Sequence, residues 1–196
     1  MLVGPDDDDD VLWLQAGRWY ADLRIPTIDT GGAVEAFAGP ARWDAPLFTW
    51  DHHLDWLGTF PSDEGTFEDV GDELVERGSF VDGDRDVPYE ERWERAAESA
   101  NFLVARSTSA PGRGVLVEVG AYRLVLVDAR EVGGEFSARR DERRREGWTT
   151  TFVRGSELGA IELPSGDLRP VVGDPITVGA WTLTVSEVSA GSFERP

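Results

Sequence analysis

From Val11 onward, apolar and polar residues alternate over short stretches: VLWLQ, RWYADLRIP, VEAFAGPARW and PLFTWDHHLDWL, each bounded by Gly, Pro or Asp. Alternation of period two gives a strand one apolar face, and turn residues mark where each strand ends. The clearest pair is GVLVEVGAYRLVLVD, which predicts a hairpin about Gly120-Ala121, with valines and leucines alternating against Glu118 and Arg123. FLVARS before it, and TTFVRG, GAIELP, PITVG and AWTLTVSEV after it, continue the pattern. The chain is therefore predicted to be all-β: an antiparallel up-and-down β-barrel of roughly 10–12 strands with little helix.

Two segments read differently. Within 89–100, YEERWERAAESA places Tyr89, Trp93, Ala96 and Ala100 on one helical face after Pro88, while a strand would turn Tyr89, Glu91 and Trp93 inward; periodicity favours the helix. Within 137–146, SARRDERRRE has no apolar stripe and predicts a short exposed helix or loop. The acidic run Asp6 to Asp10 repels itself and offers nothing to bury, so residues 1–10 are expected to form a flexible tail ahead of a single barrel domain over 11–196.

Charge narrows the function classes. The formal net charge of -19 opposes binding to phosphate backbones and anionic lipid surfaces, so neither nucleic acid nor a membrane is an expected partner. All basic residues are arginine, and with no cysteine there is no thiol nucleophile, disulfide or cysteine-based zinc site. MLVGPDDDDDVLWLQ carries neither a basic leader nor a long apolar stretch, which makes a cytoplasmic location the expectation.

The motifs give little chemistry. Both histidines lie in FTWDHHLDW, where period two puts Phe48, Trp50, His52, Leu54 and Trp56 on one face and Asp51, His53 and Asp55 on the other. The imidazoles then diverge, so no metal site is expected. DGDRD at 82–86 begins like a calcium loop but has Val87 where glycine is needed and Trp93 where the glutamate belongs. The arginines of 139–145 are balanced by Asp141, Glu142 and Glu146, and no nucleophile elbow or phosphate-cradling loop occurs. No catalytic residue and no cofactor is assigned. The eight tryptophans are the remaining feature, since rings spread over many strands can fill a barrel or line a cavity within it.

AGRWYADLRIP, residues 16–26, resembles the opening strand of lipocalin and calycin barrels, with Gly17, Arg18 and Trp19 as the G-x-W element. The ordered series over 16–93, which includes A-F-A-G, W-x-x-x-L-D-W and Y-E-E-x-W segments, is similar to bacterial proteins of lipocalin-like fold. The matching positions are Trp19, Phe37, Gly39, Trp50, Trp56, Tyr89 and Trp93. The resemblance implies a barrel and a strand over Tyr89 to Trp93, and it brings no established activity.

These readings converge on a small-molecule binding protein whose ligand is apolar or aromatic and could carry a carboxylate. The expected wall is Trp19, Tyr20, Arg24, Trp50, His52, Trp56, Tyr89 and Trp93. Arg24 would supply a fixed donor fork to a carboxylate or close a barrel-end salt bridge. The alternatives are a barrel isomerase or hydrolase using His52 with a carboxylate such as Glu91, and an acidic protein-interaction module.

Overall fold

The computed structural model describes residues 2–6, 9–26, 33–58, 61–82, 84–94, 101–107, 112–162 and 170–189. The first of its two antiparallel sheets contains β1 (Leu2–Asp6), β2 (Asp9–Ala16), β3 (Trp19–Pro26), β4 (Glu35–Asp44), β5 (Leu47–Asp51), β6 (Leu54–Asp55), β7 (Ser62–Val70), β8 (Glu73–Asp82) and β9 (Arg85–Glu94). The second contains β10 (Phe102–Arg106), β11 (Arg113–Val119), β12 (Tyr122–Asp128), β13 (Phe136–Arg144), β14 (Gly147–Arg154), β15 (Ile161–Glu162), β16 (Pro175–Val178) and β17 (Trp181–Val188). The described residues hold no α-helix; a single 3-10 turn spans Arg130–Val132.

The first ladder closes on itself. β3 pairs with β4 from Trp19↔Pro40 to Arg24↔Glu35, and β9 returns to β1 at Val3↔Glu94. The circuit β1-β2-β3-β4-β5-β7-β8-β9 is thus a ring of eight strands, with β6 added to the flank of β4. The second sheet curls in the order β14-β13-β12-β11-β10-β17-β16-β15. The all-β antiparallel prediction holds, although the described residues form 17 strands in two sheets where a single barrel of 10–12 was expected.

The reason is that several strands bury both faces. Leu12 and Leu14 of β2, Ala21 and Leu23 of β3 and Ala36 and Ala38 of β4 pack in one cluster with Val115 and Val117 of β11, Leu124 and Leu126 of β12 and Ala138 of β13. That layer joins the sheets. The alanines let the backbones approach, and each fully buried leucine contributes about 2 kcal/mol. The opposite faces of β2 and β3 point into the ring, where Val11, Trp13 and Tyr20 join Trp50 and Trp93. A second interior cluster, Leu116, Val125, Ile176 and Leu183 among others, fills the concave face of the second sheet.

Three local expectations change. Residues 2–6 and 9–10 have strand backbone where charge suggested a tail: Leu2↔Trp13 to Asp6↔Asp9 form a hairpin ladder, and Asp10 is held by Arg140 at 2.9 Å. Main-chain pairing and one arginine outweigh the local repulsion. Residues 89–94 are strand, as the resemblance implied and periodicity did not, because the Tyr89, Glu91 and Trp93 face turns into the ring; 95–100 lie outside the described residues. SARRDERRRE forms most of β13, because its arginines find carboxylates across and along the sheet: Arg139 Nε donates to Asp141 at 2.7 Å and Arg140 to Asp10. The predicted hairpin at Gly120-Ala121 is present, with Val119↔Tyr122 closing it and Gly120 at φ 59°, a conformation that glycine adopts without strain.

Candidate functional site

Inside the ring is a cavity of ≈ 550 Å³, partly open to solvent. Every strand of the ring from β2 to β9 lends it a side chain. Trp13, Trp50 and Trp93 form an aromatic floor with Phe48 and Phe67: Trp13 stacks on Phe67 at 5.8 Å and meets Trp50 edge-on at 5.9 Å. Above the floor the wall turns polar. Tyr20, Asp22 and Arg24 face inward from β3 at every second position, and Glu76 of β8 and Tyr89 and Glu91 of β9 do the same.

Arg24 spans this interior. Its Nη1 donates to Glu91 Oε1 at 2.8 Å, and its Nε and Nη2 reach Asp22 Oδ2 at 3.3 Å. The guanidinium also lies 5.8 Å from the Phe37 ring and 6.0 Å from that of Trp93, within cation–π range. Burial alone would lower its pKa, but Asp22 and Glu91 hold it charged. Of the two roles read for this donor fork, a ligand carboxylate or a salt bridge, the second is the one formed, with two carboxylates of the protein.

The acids of the wall are held in unequal states. Burial raises Asp22 to about 6, against the pull of Arg24, and leaves its Oδ1 without a hydrogen-bond partner. Burial, reinforced by Glu91, raises Glu76 to about 7, although Glu76 accepts from the Tyr89 hydroxyl at 2.8 Å and the Trp93 indole at 3.0 Å. The hydroxyls of Tyr20 and Tyr89 are pushed well above the ordinary tyrosine value by burial and by nearby carboxylates. They stay protonated and act as donors.

His52 closes the other side of the cavity. Its imidazole is stacked on Phe37 at 5.0 Å, with Nε2 3.1 Å from Asp63 and Nδ1 4.0 Å from Asp55. The anticipated partnership with Glu91 is not formed, since Glu91 is engaged by Arg24.

Of the eight wall residues read from the sequence, Tyr20, Arg24, Trp50, His52, Tyr89 and Trp93 line the cavity, and Trp19 and Trp56 do not. Trp19 neighbours Tyr20 on one strand, so the two cannot share a face; Trp19 packs between the sheets with Arg106 over its ring at 4.3 Å. Trp56 is lost because the period-two pattern of FTWDHHLDW breaks. β5 ends at Asp51, the chain bends at His52-His53, and β6 restarts against β4 with Leu54 in the inter-sheet layer. Arg113 of β11 and Arg130 of the 3-10 turn hold this segment by its carbonyls: Arg113 bonds His53 at 3.1 Å, and Arg130 bonds Asp55 at 2.8 Å and Trp56 at 3.0 Å. Trp56 then meets Phe136 at 5.0 Å, and Asp55, expected in solvent, is buried.

Sequence reasoning passed over Trp13, Asp22, Phe37, Asp63 and Glu76 as wall residues. Asp22 was recoverable from its parity with Tyr20 and Arg24, and Trp13 from the β2–β3 register that pairs it with Asp22. Asp63 and Glu76 lie in acidic stretches whose inward face carries no apolar signal. Among the described residues no group of His, Cys, Asp and Glu is placed to hold a metal ion, and no helix is long and apolar enough to cross a membrane.

The fold and the cavity define an all-β, barrel-like protein with a part-polar, part-aromatic interior. Residues 3–187 match the model of the family described as Protein HRI1, and the chain belongs to that family. Its structure is similar to the crystal structure of the uncharacterized protein YLR301w from Saccharomyces cerevisiae, with a TM-score of 0.74 over 97% of each chain at 15% sequence identity, a likeness that speaks to the fold. No match was found among curated proteins.

Proposed function

We propose that this protein binds a small organic molecule inside the eight-stranded ring, in the manner of a lipocalin-like carrier or sensor. The observation that carries this reading is the cavity itself. A volume of ≈ 550 Å³ falls within the ordinary range of ligand pockets, and its aromatic floor beneath a few convergent polar groups is the usual composition of one. Two buried atoms on its wall, Trp13 Nε1 and Asp22 Oδ1, have no protein partner and would gain one from an occupant.

The test is quenching of tryptophan emission by a panel of small aromatic and alkyl compounds. Saturable quenching with one site per chain supports the reading. A panel that leaves emission unchanged, together with unaltered melting temperatures, contradicts it.

A further inference from the structure

Resting on that ligand-binding reading, we infer that the occupant of the ring is an organic cation: a protonated amine attached to an apolar or aromatic body. The first ground is the charge of the wall. Five carboxylates face the cavity, those of Asp22, Glu35, Asp63, Glu76 and Glu91, against the single guanidinium of Arg24 and the imidazole of His52, while Glu90 at the rim is paired with Arg77 and Arg92 on the outer face. An anion would enter against that field, while a cation gains from it in a site of low local dielectric.

The second ground is the surface presented beside those acids. Trp93 and Phe37 offer their rings to the interior, and both already lie within cation–π range of the Arg24 guanidinium. The cavity thus holds one cation of its own by carboxylate and ring together. Trp13, Trp50 and Tyr20 also line the cavity and add aromatic surface beside those rings.

The third ground is independent of charge counting. The Asp22 side chain is more than nine-tenths buried and lines the cavity, and only Oδ2 of its carboxylate is used by Arg24. Oδ1 is an acceptor without a donor, and burial of an unmet acceptor is costly. An ammonium N–H at that position meets the oxygen and places its positive charge between a carboxylate and aromatic faces.

The experiment uses three probes with one ring system and different charge: naphthylmethylamine, naphthylmethanol and naphthoate. Dissociation constants are measured by calorimetry on the full chain at about pH 8 and about 0.15 M salt, where long-range surface attraction is screened. The amine is expected to bind about tenfold or more tighter than the alcohol, with the carboxylate weakest, as one cation–π contact plus one carboxylate would give. Asp22→Asn and Asp63→Asn should each narrow the ratio of amine to alcohol affinity. Glu68→Gln, which removes an exposed carboxylate outside the cavity, should change neither. Equal binding of amine and alcohol overturns the cation assignment and leaves the ligand-binding reading intact. An amine preference that survives both cavity substitutions, or falls with Glu68→Gln, also overturns it, because the attraction then belongs to the whole surface. Binding of none of the three probes overturns both.

Discussion

Arg24 of β3 reaches across the interior of the ring to Glu91 of β9, with 2.8 Å between Nη1 and Oε1, joining two strands 67 residues apart in sequence. Removing the arginine would leave Asp22 and Glu91 facing each other in a buried wall. Arg24→Met is therefore expected to destabilise the fold by about 3 kcal/mol in urea denaturation, the usual cost of orphaning a buried charge. Adding Glu91→Gln should recover part of that loss. A single variant as stable as the wild type would show that the pair is not needed.

Glu76 gives a dependence on pH. Its carboxyl ionises near 4.5 when unfolded and at about 7 in the fold, where burial and Glu91 oppose the charge while Tyr89, Trp93 and Arg24 only partly offset them. Between those values the unfolded chain releases a proton that the folded chain keeps, so this residue costs stability as pH rises. Glu76→Gln carries no such penalty. Its stability relative to wild type should improve by up to about 3 kcal/mol between pH 4.5 and pH 8, read from denaturation curves at each pH. A difference that stays flat with pH would contradict the assignment.

The sequence made the strands visible because burial of one face leaves a period of two that needs no partner to be read. The GVLVEV and YRLVLV hairpin is the case in point, paired in the structure about the expected turn. Two-sheet organisation was hidden, since β2 and β3 bury both faces and a single strand does not reveal which face meets which neighbour. Six of the eight proposed wall residues reach the cavity, Arg24 by its parity with Tyr20, while Trp19 and Trp56 show that an aromatic ring signals burial without saying in which layer. Glu76 was invisible, as a glutamate facing inward from β8 reads like any other in a chain with 38 acidic residues. The break at His52-His53 was equally hidden, being imposed by Arg113 and Arg130 from far along the chain.

Gly39, in the A-F-A-G segment of β4, owes its place to that break. A methyl group added there would run into the Asp51 carbonyl oxygen and crowd the His53 amide, both main-chain atoms that cannot swing aside. Gly39→Ala should lower stability by about 3 kcal/mol or prevent folding, as measured by the urea midpoint or by soluble yield. An unchanged midpoint would mean that β4 does not pass so close to the bend.

The two histidines should separate function from packing. His52→Ala removes the ring that stacks on Phe37 and faces Asp63 at the cavity wall, so the affinity of any bound probe should fall several-fold. His53, whose pKa is lowered by burial and by Arg113 and Arg106, sits beside Trp19 outside the cavity; His53→Ala should cost about 1 kcal/mol of stability and leave probe affinity unchanged. Trp56→Ala should behave like His53→Ala with a larger loss of about 3 kcal/mol, through its packing on Phe136. Weakened binding in the Trp56 variant at full stability would place it back in the wall.

The location of the ligand is tested most directly by the indole N–H resonances of the eight tryptophans during titration with naphthylmethylamine. Trp13, Trp50 and Trp93, which line the cavity, are expected to shift in step and saturate together. Trp19 and Trp56 between the sheets, Trp43 on the surface, and Trp148 and Trp181 of the second sheet are expected to stay in place. Saturating shifts confined to Trp148, Trp181 or Trp43, with Trp13, Trp50 and Trp93 unmoved, would contradict the account.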